Sequence, residues 1–145
     1  MRCVVMKLIL INNLKVILIF LAVSLVSGIF IGALEAFTSR NLVVGRILIA
    51  IYTLAIWILY FTAGKIILKP QNSILTNILS TILILVITIV LFAMKSQLIA
   101  ALALPSYLIT GILKPWIDQR LSIALHVIIS WLSVILGMLS KTWGK

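Results

Sequence analysis

Four stretches of this chain are apolar for about 20 residues each, the length an α-helix needs to cross the hydrocarbon of a bilayer. They lie at about 16–37, 47–68, 74–94 and 121–139. Lipid offers no partner to backbone N–H and C=O groups, so such runs must be helical. A closed barrel would need alternating polarity, which the runs lack. Only 10% of residues are charged, against roughly a quarter in a water-soluble domain. Mean hydropathy is +1.36. The expected fold is an all-α membrane protein, with four transmembrane helices in an antiparallel bundle forming one integral membrane domain over residues 1–145.

The connections support that order. Thr38 to Arg46 and Lys69 to Ser73 are short, so consecutive helices should run in opposite directions. Pro70 and Asn72 mark a stop and a turn, and Ser73 is placed to cap the third helix. Residues 97–113 are apolar but broken by Pro105, Ser106 and Gly111. The expectation is an interfacial or re-entrant segment between helices 3 and 4, with Tyr107 and Trp116 at headgroup depth. A fifth span is the alternative. Near the N-terminus, Arg2, Lys7 and Lys15 precede the apolar run Val16 to Val26, as in a signal peptide. No small-x-small cleavage site follows, so a retained first helix is expected.

The formal net charge is +10, from 12 basic residues against Glu35 and Asp118. The basic residues stand singly between apolar runs, with no basic stripe and no aromatic-basic module. They read as headgroup anchors, and nucleic acid is not an expected partner. With four spans and the N-terminus inside, the inner segments hold Arg2, Lys7, Lys15, Lys65, Lys69, Lys141 and Lys145. The outer segments hold Arg40, Arg46, Lys95, Lys114 and Arg120. This bias favours cytoplasmic termini and a cell-membrane location.

Each run carries small or polar residues at three-four spacing. The first has Ser24, Gly28, Gly32 and Ala36, a pattern that lets helix backbones approach closely. Glu35 lies about 20° from Gly28 around that helix. The second has Thr53, Trp57, Tyr60 and Gly64, and the third Ser73, Asn77, Ser80, Thr81 and Thr88. The fourth has Asp118, Ser122, His126, Ser130, Ser133 and Gly137. One reading makes these structural seams of hydrogen-bonding and small residues. The sharper one makes His126, Ser122, Ser130, Asn77 and Tyr60 line a polar pathway, since ionisable groups inside a membrane are often functional. Glu35 and Asp118 are expected at the outer ends of their helices. There they can form interfacial ion pairs, or Glu35 can serve transport.

Catalytic material is scarce. His126 is the only histidine and Cys3 the only cysteine, so neither a zinc set nor a disulfide can be assembled. Ser122, His126 and Asp118 lie along one helix. Asp118 is two turns from His126, about 12 Å, too far to orient a catalytic base. No catalytic residue, metal or cofactor is expected. The sequence favours a non-enzymatic structural, accessory or regulatory membrane subunit that packs against itself or another membrane protein. The alternatives are a small oligomeric transporter or flippase using Glu35 or the His126 seam, and a pore-forming or lysis-related protein.

Overall fold

Residues 2–38, 42–94, 105 and 118–142 are described by a computed structural model. Among them the chain is helical and contains no strand. The elements are α1 (Arg2–Thr38), α2 (Leu42–Ile67), α3 (Ile74–Leu79), α4 (Leu83–Ala93) and α5 (Gln119–Leu139). Three of the helices are long and apolar enough to cross a membrane, over Val4–Ile31, Val43–Ile67 and Leu121–Leu139. The expected interfacial segment 97–113 lies outside the described residues, apart from Pro105.

Polarity in the bundle is inverted relative to a water-soluble protein. Leu25, Ile29, Ile66 and Ile89 point outward, 67–77% exposed. Asn12, Ser24, Ser27, Thr81 and Ser130 are at most 3% exposed. Burying polar groups while presenting a continuous apolar surface suits lipid as the surrounding medium and opposes water.

Contacts fix the helix directions. Asn12 donates to the Lys69 carbonyl (2.9 Å), Lys15 to the Ile67 carbonyl (3.2 Å), and Phe20 stacks on Tyr60 with ring centroids 4.6 Å apart. Farther along, Ile31 packs with Ile49. As α1 advances its partners on α2 retreat, so α1 and α2 are antiparallel. Between α2 and α5 both numbers rise together: Trp57 meets His126, Gly64 meets Val134, and Lys141 reaches the Ile66 and Leu68 carbonyls. These two helices are parallel. The start of α1 and the end of α5 therefore share one end of the bundle with Lys7, Lys15, Lys65, Lys69 and Lys141. The last turn of α1, which contains Glu35, and Asp118 at the start of α5 lie at the other end.

Glycine permits the parallel pair. A Cβ at Gly64 would fall on the Val134 carbonyl oxygen, and the Val134 Cα is only 2.9 Å from that point. A Cβ at Gly137 would fall on the Phe61 carbonyl oxygen, with the Lys65 amide nitrogen 3.0 Å away. Backbone meets backbone at both places, so no side chain can swing aside. The close approach expected at Gly28 is not found within the chain, because Gly28 is exposed. Steps of four residues precess about 40° per step around a helix. Gly28 thus stands off the seam, whereas Val16, Phe20, Val23, Ser24, Ser27 and Ile31 are buried.

The third apolar run is not one helix. It opens at Ser80–Ile82, between α3 and α4. The Ser80 hydroxyl bonds back to the Asn77 carbonyl (2.8 Å) and the Thr81 hydroxyl to the Asn77 and Ile78 carbonyls (3.2 and 3.1 Å). Such bonds compete with the helical ladder. Asn13 of α1 enters the break, donating from Nδ2 to the Leu79 carbonyl (2.9 Å) and accepting the Leu83 N–H at Oδ1 (3.0 Å). From α5, Trp131 Nε1 donates to the Thr81 carbonyl (3.0 Å). Ser73 takes the N-cap position of α3, but its hydroxyl makes no cap bond. The turn is tied instead by Asn77, which accepts the Gln71 N–H and donates to the Gln71 carbonyl (2.6 and 3.1 Å).

Gly64→Ala and Gly137→Ala should each destabilise the chain by about 1–3 kcal/mol, the usual range for overpacking. Gly28→Ala should be neutral or slightly stabilising. Thermal unfolding of the three variants in one detergent makes the comparison; equal effects at positions 28 and 137 would contradict the α2–α5 contact.

Candidate functional site: a buried polar seam

The hydroxyls facing the bundle interior fall into two groups. Thr53, Thr88 and Ser133 donate to carbonyls one turn back in their own helices, at 2.7–2.9 Å. These are satisfied locally. Ser24 on α1 and Ser122 and Ser130 on α5 are buried with no hydrogen-bond partner at Oγ. The Tyr60 hydroxyl and the Trp57 indole N–H of α2 are likewise buried and unpartnered.

His126 is the centre of this second group. It is 4% exposed, and neither Nδ1 nor Nε2 has a partner. Helical spacing sets Ser122 one turn before it and Ser130 one turn after, on one face. That face meets α2, where the Trp57 ring lies 6.3 Å from the imidazole, centroid to centroid, at 34°. Tyr60, one turn further along α2, leans toward α1 and tilts against Phe20 at 38°. The Tyr52 hydroxyl of α2 and the Ser27 hydroxyl of α1 are also buried and unpartnered.

A neutral imidazole offers one donor and one acceptor, and each serine hydroxyl offers both. A buried polar group left unmet costs about 1–3 kcal/mol. Several such groups together approach the roughly 5–15 kcal/mol that holds a typical domain folded. The seam is therefore a row of donors and acceptors with unused capacity along α5.

The residues singled out by sequence divide accordingly. Ser122, His126 and Ser130 share one face of α5, opposite Trp57 of α2; Tyr60 lies against Phe20 of α1, and Ser24 is buried on α1. Asn77 does not join them; it is spent on the α2–α3 turn. Ser133 is half-buried and bonded within α5, and Gly137 belongs to the backbone contact with α2. Asp118 stands at the N-cap of α5, where its carbonyl accepts the Ser122 N–H (3.0 Å). Gly32 and Glu35 fall within the last turns of α1; their side-chain surroundings lie outside the described residues.

Sequence reasoning missed Asn12, Asn13 and Lys141. The two asparagines precede the apolar core of the first run, where they read as flanking residues. Two adjacent amides inside an otherwise apolar helix were the available signal. In the fold, Asn12 and Lys15 of α1 and Lys141 beyond α5 satisfy the carbonyls ending α2 and its following turn. These carbonyls have no partner within a helix.

No protein-family model, curated protein or solved structure matches the chain.

Asn13→Leu removes both side-chain bonds at the α3–α4 break and should cost about 2–4 kcal/mol, since two buried backbone groups lose partners. Trp131→Phe removes one and should cost less, about 1–2 kcal/mol. Chemical denaturation in detergent orders them, and the reverse order would contradict the asparagine as the main tie.

Proposed function

We propose that this chain is a non-enzymatic multi-pass protein of the cell membrane whose buried seam binds and passes a small hydrogen-bonding solute. The observation that carries the reading is His126, buried between α2 and α5 with both ring nitrogens unpartnered and flanked by two unpartnered serines. A seam serving packing alone is expected to pair its polar groups, as Thr53, Thr88 and Ser133 do. The break between α3 and α4 adds support, because irregular backbone at membrane depth occurs where protein or a cavity can satisfy it.

The crossing number proposed is four. The parallel course of α2 and α5 supports it, because a fifth crossing would reverse α5. The third crossing is then α3 and α4 in series. The cluster of lysines at the shared end of α1 and α5 supports cytoplasmic termini. Reporter fusions after Lys145 and at Lys95 should report opposite sides; the same side for both would overturn this topology.

Stability and accessibility separate a binding seam from a structural one. A site kept for function is less stable than an apolar replacement. His126→Leu should therefore raise the unfolding midpoint, by the equivalent of about 1–3 kcal/mol, while solute movement is lost. In a Cys3→Ser background, Ser122→Cys and Ser130→Cys should react in vesicles with a membrane-impermeant thiol reagent, as Arg46→Cys at the bundle end does. A destabilised His126→Leu with unreactive seam cysteines would sink the proposal. It would return the chain to the accessory-subunit role that the sequence placed first.

A further inference from the structure

A groove of about 210 Å³ runs between α1 and α2 on the outside of the bundle. Its walls are Ile19, Ala22 and Val26 of α1 and Leu59, Ala63 and Ile67 of α2, with Val23 at its floor. No polar atom lines it. An apolar cavity of about 150 Å³ is enough to hold a benzene ring, so this one has room for a hydrocarbon segment. Leu59 to Ile67 spans eight residues, so the groove is about 12 Å long, aligned with the helices.

One end of the groove is charged. Lys15 lies one turn before Ile19 on the same face, and its ammonium donates to the carbonyl of Ile67, a wall residue. An ammonium has three donors, and this bond uses one. Lys69 is exposed just past the end of α2, and Lys141 reaches the Ile66 and Leu68 carbonyls. The acids lie at the opposite end of the bundle. The groove thus joins an acyl-sized apolar trough to a cluster of ammonium groups with no acidic side chain among the described residues at that end, at the level where α2 ends.

We propose that the α1–α2 groove is a binding site for one anionic phospholipid, with an acyl chain along Ile19–Val26 and the phosphate on Lys15 and Lys69. The site rests on membrane embedding and not on the His126 seam. Charge complementarity selects the occupant: a zwitterionic lipid would fill the trough equally well but would bring no net charge to the lysines. A lysine near an anionic headgroup is worth about fivefold in affinity.

Native mass spectrometry of the full chain in mild detergent, with equal phosphatidylglycerol and phosphatidylcholine, tests the site. The wild type should hold phosphatidylglycerol in preference by about fivefold or more. Lys15→Gln should lose that preference, and Lys7→Gln, at the same end but about 12 Å away along α1, should keep it. Ala22→Phe fills the trough from an exposed position and should release both lipids without lowering the unfolding temperature of the lipid-free chain. Equal binding of the two lipids would overturn the site, as would equal losses at Lys7 and Lys15, or displacement of the lipid by glycerol phosphate. Recovery of the chain from the aqueous fraction would instead sink the membrane reading beneath it.

Discussion

Every main-chain donor and acceptor that leaves a helix inside hydrocarbon must find a partner from the protein, because no water is there to supply one. The architecture follows from how this chain meets that constraint at two places. At the end of α2, carbonyls are met by Asn12, Lys15 and Lys141. At the break between α3 and α4 they are met by Asn13 and Trp131. The same few side chains therefore stitch α1 and α5 to the irregular backbone of the middle of the chain. That stitching sets the level at which each helix enters the bundle.

The seam around His126 stands out against this background. Thr53, Thr88 and Ser133 are paired within a single turn, whereas Ser24, Ser27, Tyr52, Trp57 and Tyr60 share the unmet state of the seam. Along α5 three consecutive turns present unpaired groups to a wall containing Trp57. Val or Leu at positions 122, 126 and 130 would fill the same space without leaving polar atoms unmet. The backbone contact of Gly64 and Gly137 lies on the other half of the same helix pair. It clamps the lysine-rich end while the polar half rests on side chains.

Much of the secondary structure was legible in the sequence. Apolar runs of spanning length pointed to α1, α2 and α5, although α1 begins at Arg2 and α2 at Leu42, before the runs do, and Pro70 and Asn72 marked the turn after α2. Within the seam, the three-four spacing on α5 put Ser122, His126 and Ser130 on one face, and all three are buried. Within a single chain, a local rule can have two outcomes. Small residues four apart on α1 look like a packing face, yet the 3.6-residue turn carries Gly28 away from the seam. Apolar character over 74–94 reads as one helix, yet Ser80 and Thr81 turn it at Ile82 because Asn13 is present to complete the break.

What the sequence determined alone is the medium and the element type. A chain so apolar, with acids at only two positions, must bury its backbone in helices. What only the tertiary structure decided is the direction and the pairing. That α2 and α5 run parallel, that glycine carbon meets carbonyl oxygen between them, and that His126 is left without a partner depend on residues far apart in the chain coming to one place. Periodicity reports which side of a helix is polar. It carries no information about which neighbour that side meets, or whether the neighbour offers a hydrogen bond.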